Sequence, residues 1–233
     1  MREPDVPWSI IVQVTKQRLM KIRQLVLFTI ILGLGACSTM YYGTMEKLGV
    51  HKREILVDRV KAARDTQNEA KQQFLTAMEQ FKSVVNVKGG DLEKEYNKLN
   101  ATLKRSESKA EDVRNRIRAV EDVSEALFSE WRSEIKQYTN DTLRRSSQRK
   151  YDLTRKKYME LIGAMKRAES KLEPALAPLR DQVLFMKHNL NARAIAGLSD
   201  ELVSVQTNVD TLVRDMERAI AQADAFIASL QEE

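Results

Sequence analysis

The 233-residue sequence contains one cysteine, four prolines and eight glycines, and only 6% of its residues are aromatic. A single cysteine excludes an internal disulfide framework and a zinc cluster built on several thiolates. The scarcity of glycine and proline leaves room for few turns, which excludes a sheet of many short strands and favours long regular elements. No glycine is followed by lysine, so a Walker A phosphate-binding loop is excluded as well.

A short apolar run near the N-terminus is the most specific signal in the chain. Residues 25–36 carry no charge and follow Lys21 and Arg23. Twelve residues are too few for a comfortable membrane span, but they fit the apolar core of a secretory signal. The run ends in Leu34-Gly35-Ala36-Cys37, which resembles the bacterial lipobox, where the cysteine thiol is acylated and the chain is cut just before it. We predict that Cys37 is lipidated; the alternative is a short buried helix that ends in cysteine.

This interpretation also predicts how the chain is divided and where it resides. Ser38 stands where lipoproteins retained in the inner membrane usually carry Asp, so we predict an outer-membrane protein that faces the periplasm. The predicted segments are an extension upstream of a misplaced start (1–19), a lipoprotein signal peptide (20–36), a short lipidated linker (37–45) and a helical bundle domain (46–233).

The net charge of the chain says little about which partners the protein binds. The chain has 39 Lys and Arg against 33 Asp and Glu, a formal charge of +6. Five of these bases and two of these acids lie in residues 1–36, so the processed chain keeps 34 bases, 31 acids and a charge of +3. The basic pI is therefore no argument for nucleic-acid binding.

The rest of the chain repeats apolar residues at alternating spacings of four and three. An average spacing of 3.5 predicts long helices in a left-handed supercoil and excludes strands. Short breaks at Gly89-Gly90, at 139–141 and at 196–199 predict antiparallel neighbours. We predict an all-α fold, an elongated antiparallel coiled-coil bundle of about four long helices. The four predicted seams run over Leu56–Val84, Leu92–Trp131, Tyr151–Leu172 and Leu202–Leu230.

The sequence also predicts two details of this bundle at individual residues. Pro174 and Pro178 each remove a backbone hydrogen bond and crowd the carbonyl four residues earlier, so we predict that they kink or break the third helix. The second seam places Leu127 one turn before Trp131. Leu127 is therefore predicted to be enclosed and costly to truncate.

Residues suited to catalysis or metal binding are few. His51 and His188, the two histidines, are predicted to lie at opposite ends of the bundle and not to share a metal. Paired carboxylates are typical of solvated faces on helices this charged. We predict no catalytic residues, no metal, no cofactor and no enzymatic activity.

A basic segment early in the third helix is the remaining candidate site. It contains seven bases against a single acid, Asp152. The simpler interpretation is a solvated helix face. The antiparallel order, however, places this segment at the end where the first helix leaves Cys37, which favours contact with anionic headgroups. The candidate membrane-contact residues are Arg144, Arg145, Arg149, Lys150, Arg155, Lys156 and Lys157.

Several stretches resemble an uncharacterised family of gammaproteobacterial lipoproteins, over nearly the whole predicted mature chain. The resemblance implies coiled-coil helices and a place in the cell envelope but no activity. Similar sequences sometimes carry a "DNA repair ATPase" label, which the missing Walker A loop argues against. The stretches are Tyr41-Tyr42, HKREILVDR (51–59), QFKSVV (80–85), GGDLE (89–93), EALF (125–128) and HNLNARAI (188–195).

Three functional hypotheses follow. The first is a lipid-anchored periplasmic coiled-coil protein, a structural or partner-binding component of the envelope. It would bind the membrane through lipidated Cys37, with an envelope protein as a further partner and no nucleic acid. The second is a cytosolic coiled-coil protein associated with DNA maintenance, in which residues 1–36 are not a signal. The third, least favoured, is an enzyme with its site at the bundle tip.

Overall fold

The computed structural model describes residues 51–86, 92–189, 198–199 and 201–231. These residues form five helices and no strand, and the helices belong to one compact unit, residues 52–233. The prediction of an all-α fold is confirmed. The helices are α1 (Lys52–Val85), α2 (Leu92–Ile135), α3 (Asp141–Ser170), α4 (Leu172–His188) and α5 (Leu202–Gln231).

The helices form an antiparallel four-position bundle in which α3 and α4 together occupy the third position. α1 packs against α2 and α5, and both α3 and α4 also pack against α2 and α5. Along the α1–α2 interface Lys52 pairs with Glu130, whereas Glu69, later in α1, pairs with Lys109, earlier in α2. Along the α2–α3 interface Tyr151 meets Phe128, whereas Lys166, later in α3, pairs with Glu121, earlier in α2. This order confirms the predicted antiparallel bundle. Ion pairs that cross the interfaces, at 2.6–3.7 Å, include Lys52–Glu130, Arg64–Asp224, Lys71–Glu217, Lys109–Glu69, Arg114–Glu173, Lys166–Glu121 and Arg180–Glu107.

The core follows the predicted seams closely in α1 and α5. Every seam position from Leu56 to Val84 is buried, and so is every one from Val205 to Leu230. A spacing of 3.5 residues keeps one face of each helix toward its neighbours over many turns, and apolar residues at that spacing are removed from water together. The core is therefore one continuous strip along the bundle axis.

Near the end of α2 the core departs from the predicted seam. Leu127 is only half-buried, whereas Phe128 is 6% exposed. The buried residues Val120, Ser124 and Phe128 follow one another at two successive steps of four. An added step of four unwinds the supercoil locally and moves the inward face by one residue. The prediction that Leu127 is enclosed was therefore wrong.

The third position of the bundle is interrupted at Lys171, between α3 and α4. Its N–H donates to the carbonyl of Ala168 at 3.1 Å, a bond three residues back, and the four-residue pattern resumes from Ala175 N to Lys171 O at 3.2 Å. Pro174 lies in the first turn of α4, where a missing N–H costs little, and its ring would crowd the carbonyl of Ser170 in a continuous helix. Pro178 lies inside α4. A kink at either proline stays a prediction.

A charged cluster fastens α4 to α2, and the pKa of Glu173 should report on it. Arg180 donates to Glu107 and to Glu173, both at 2.9 Å. Hydrogen bonding to Arg180 lowers the pKa of Glu173 from its ordinary value. Arg180→Met should therefore raise the pKa of Glu173, measured by carboxyl ¹³C NMR titration, whereas Arg167→Met should leave it unchanged.

The pairing of Arg180 with Glu173 makes a small contribution to folding stability that depends on pH. A carboxyl whose pKa is lowered by folding stabilises the folded state above its unfolded pKa, and this contribution is lost as the pH falls through its folded pKa. Because Arg180 and Glu173 are 44% and 56% exposed, solvent screening limits the effect to less than about 1 kcal/mol. An unchanged Glu173 pKa in Arg180→Met would contradict the pairing.

Candidate functional site

Four helix termini meet at one end of the bundle, which we call the α2–α3 end. Here α1 begins, α2 ends, α3 begins and α5 ends. Lys52 pairs with Glu130 at 2.9 Å, and the Arg53 side chain donates to the carbonyl of Leu230 at 2.5 Å. The predicted basic segment therefore lies at the same end as the start of α1.

Aromatic side chains hold the start of α3 against the end of α2. Phe128 meets Tyr151 edge-on, with ring centroids 5.6 Å apart and an interplanar angle of 87°, and lies 5.4 Å from Tyr158. Trp131 meets Tyr151 edge-on at 5.7 Å and donates its indole N–H to Ser147 Oγ at 2.9 Å. Edge-to-face pairs favour one ring arrangement over others. This packing fixes the first turns of α3 against the end of α2.

Asn140 determines where α3 begins. Its side-chain oxygen accepts from the backbone N–H groups of Thr142 at 2.9 Å and Leu143 at 3.2 Å. A capping side chain of this kind satisfies donors that the helix itself leaves unpaired. The helix terminus also contributes partial positive charge through its aligned peptide dipoles, at the point where the basic segment starts.

The α2–α3 connection projects beyond the packed core. Ile135 is the last buried residue of α2 and Tyr151 is the first of α3, and no residue between them is buried. We call residues 136–150 the hairpin tip. Its α3 portion, ten residues long, extends about 15 Å at 1.5 Å per residue. The tip can therefore meet a surface without rearrangement of the core.

The predicted basic residues are exposed on this projection and just behind it. Only Lys157 is half-buried, and the other six are exposed. Arg144 pairs with Asp141 at 2.5 Å, and the remaining six form no ion pair within the described part of the chain. At 3.6 residues per turn these bases spread over about 220° around α3, and the side that they leave uncovered carries the buried residues Tyr151 and Thr154. The segment therefore makes a basic end, not a basic stripe.

Sequence reasoning missed the apolar residues among these bases. Tyr138 is 39% exposed, Leu143 is 54% exposed and Leu153 is 49% exposed. Neither leucine occupies a predicted seam position, and that mismatch is the signal that could have identified them. The α2–α3 end thus combines positive charge with exposed apolar side chains.

A small cavity lies beside the aromatic residues. It measures about 170 Å³, and the hydroxyl of Thr154 is buried without a hydrogen-bond partner in the described structure. A cavity of this size has room for water or a small apolar group. Its lining residues are Arg53, Leu127, Glu130, Trp131, Glu134, Thr154 and Leu230.

The other predicted sites are separated or lie elsewhere. Within the described ranges, no three His, Cys, Asp or Glu side chains are placed to hold a metal ion. His51 precedes α1 and His188 ends α4, so the two lie at opposite ends of the bundle. Cys37, together with the predicted segments 1–19, 20–36 and 37–45, lies outside the described residues. None of the described helices combines the length and apolar character needed to cross a bilayer.

Comparison with known proteins identifies a family but no activity. The family model described as "Protein of unknown function (DUF2959)" matches residues 41–230. No curated protein matches the chain. The family match includes almost all of the described bundle. The predicted resemblance to an uncharacterised family is confirmed, while its lipoprotein character and bacterial group stay predictions.

Proposed function

This chain belongs to the DUF2959 family of proteins of unknown function, and from that premise we propose that it is a lipid-anchored helical bundle of the cell envelope. In this proposal Cys37 carries the acyl anchor at the periplasmic face of the outer membrane. The bundle is not an enzyme. It is a structural element or a binding surface for another envelope protein.

The order of sequence features around Cys37 carries the proposal. Two bases, an uncharged apolar run and two small residues precede the cysteine in the order that a lipoprotein signal requires. The family match supports it because the match begins at Tyr41, four residues after Cys37. The part shared by the family thus starts where the mature protein would start.

The number of residues between Cys37 and α1 limits how far the bundle can lie from the acyl anchor. α1 begins at Lys52, fifteen residues after Cys37. A fully extended chain spans at most about 3.6 Å per residue, so this tether reaches no more than about 54 Å. The α2–α3 end, which includes the start of α1, is therefore the part of the bundle closest to the bilayer along the chain.

The shape and surface of the bundle support a structural or binding role. α2 contains 44 residues and extends about 66 Å at 1.5 Å per residue, which suits a spacer. Exposed apolar side chains also occur at the end opposite the α2–α3 end, at Leu184 and Phe185 of α4 and at Val203 of α5. Apolar side chains at the far end are suited to contact with a second envelope protein.

Metabolic labelling with radioactive palmitate tests the anchor. We expect the wild-type chain to incorporate the label and to fractionate with the outer membrane, and we expect Cys37→Ser to lose both properties. Ser38→Ala is the matched control and should keep the label. Ser38→Asp should keep the label but move the protein toward the inner membrane.

The cytosolic alternative makes the opposite prediction in the same experiment. A wild-type chain that stays in the cytosol and never incorporates palmitate would contradict the lipoprotein proposal. The unpaired bases of α3 are the observation that favours this DNA-associated alternative, because exposed Lys and Arg bind phosphates of either source.

A further inference from the structure

We propose that the hairpin tip is a second membrane contact, in which Arg145, Arg149 and Lys150 bind anionic lipid headgroups while Tyr138 and Leu143 enter the bilayer interface. The inference rests on the proposed function only for the presence of a bilayer near the start of α1. The contact itself does not need the acyl group on Cys37.

The hairpin tip carries bases that are not paired with acids in the described structure. Elsewhere in the bundle, bases such as Lys71, Lys109 and Lys166 are held by acids of neighbouring helices. Arg145, Arg149 and Lys150 have no such partner in the described structure. Residues 141–157 carry seven bases against two acids, Asp141 and Asp152. The tip therefore presents charge that an anionic surface can neutralise without breaking an ion pair within the protein.

Position along the helix is the second argument. Counted at 1.5 Å per residue from the start of α3, Arg145 to Lys150 lie about 6–14 Å along the axis. Arg155, Lys156 and Lys157 lie about 21–24 Å along it. The electrostatic screening length at physiological salt is about 8 Å. From the start of α3, Arg145 lies within one screening length and Arg149 and Lys150 lie within about two, whereas the last three bases lie about two and a half to three away. When the tip meets the bilayer, the first three bases therefore interact with the headgroups more strongly than the last three.

The exposed apolar residues are the third argument. Tyr138 precedes α3 and Leu143 lies in its first turn, so both belong to the outermost part of the projection. A tyrosine ring suits the headgroup region because its body is apolar and its hydroxyl stays hydrated. Basic residues around apolar side chains are typical of segments that lie in a membrane interface. A solvated helix face would need no such apolar side chains at its end.

A fluorescent probe on the tip can measure this contact in the full-length chain. The sequence has one cysteine, so the double change Cys37→Ser, Thr139→Cys leaves a single thiol beside Tyr138. The apolar run 25–36 is present in every sample, so it contributes equally to all of them. The chains are labelled with a thiol-reactive dye and mixed with two kinds of vesicle, one of zwitterionic lipid alone and one of zwitterionic lipid with added anionic lipid. Nitroxide lipids in the bilayer quench the dye only when the tip makes contact. The control places the dye at Ser199, in the Cys37→Ser, Ser199→Cys chain.

We expect strong quenching at position 139 with anionic vesicles and little with zwitterionic ones. Raising the salt from about 0.02 M to about 0.15 M should weaken it because the surface charge is screened. Dye at Ser199 should remain unquenched in both.

Two matched triple substitutions test the geometry. Arg145, Arg149 and Lys150 changed to Gln should lower the contact equilibrium constant at least about tenfold, since each base near an anionic surface contributes about a fivefold factor. Arg155, Lys156 and Lys157 changed to Gln remove the same charge, also unpaired, and should lower it less than about threefold.

A further matched pair tests the apolar contribution. Leu143→Ser should weaken the contact that persists at high salt, and Leu184→Ser, an equally exposed leucine on α4, should not.

Several results would overturn the inference. No quenching with either lipid would mean that the tip is a solvated face, and equal strong quenching with both would mean that it does not recognise anionic headgroups. Equal losses from the two triple substitutions would reduce the contact to a general effect of positive charge. Duplex DNA that binds at about 0.15 M salt, where anionic vesicles do not, would favour the nucleic-acid alternative. Because Cys37→Ser is present in every sample, failure of lipidation in the palmitate experiment does not affect this result.

Discussion

Replacing Phe128 with alanine should lower the free energy of unfolding by about 3–5 kcal/mol. The ring is 6% exposed and packs against both Tyr151 and Tyr158. Its removal exposes apolar surface, ends two aromatic contacts and leaves a void that the surrounding helices can fill only in part. The loss should also loosen the start of α3, because Tyr151 is the first buried residue of that helix.

Urea unfolding followed by far-UV circular dichroism measures this cost, and two neighbours serve as controls. Leu127→Ala should cost clearly less, because Leu127 is half-buried and already borders a cavity. Ser129→Ala should change stability by no more than about 0.5 kcal/mol, since Ser129 is exposed. A larger cost for Leu127→Ala than for Phe128→Ala would mean that the uninterrupted heptad is the correct register.

Replacing Gln67 with methionine should have the opposite sign and stabilise the bundle by about 1–3 kcal/mol. Gln67 is fully buried in α1, between the buried residues Ala63 and Ala70 of the same seam. Neither the oxygen nor the nitrogen of its amide has a hydrogen-bond partner in the described structure. Methionine has nearly the same length and shape but no polar group to desolvate.

The same unfolding measurement tests this gain against a second glutamine of α1. Gln73 is half-buried, and its amide donates to Thr102 O and Ser106 Oγ, both at 3.3 Å. Gln73→Met should therefore be neutral or destabilising. A loss of stability in Gln67→Met would show that its amide is satisfied, for example by a buried water. In that case the residue would help to specify the register of the bundle.

Local periodicity is enough to predict most of this fold. A spacing of 3.5 is a property of each helix on its own, so the inward face of α1 and α5 can be recognised before their neighbours are known. Short connections then make antiparallel packing the natural arrangement. The basic segment could be identified in the same way, since a run of bases is visible in the sequence. Its placement at the start of α1 followed from the order of the helices.

The remaining features depend on residues that are distant in sequence. Whether Leu127 or Phe128 turns inward depends on how α2 winds against its partners, which a single helix does not encode. Whether a base is held by an acid depends on pairs such as Arg64 and Asp224, 160 residues apart. The hairpin tip projects because core burial ends at Ile135 in α2 and resumes at Tyr151 in α3. Burial and charge pairing arise between helices, and so they are determined only when the helices are packed together.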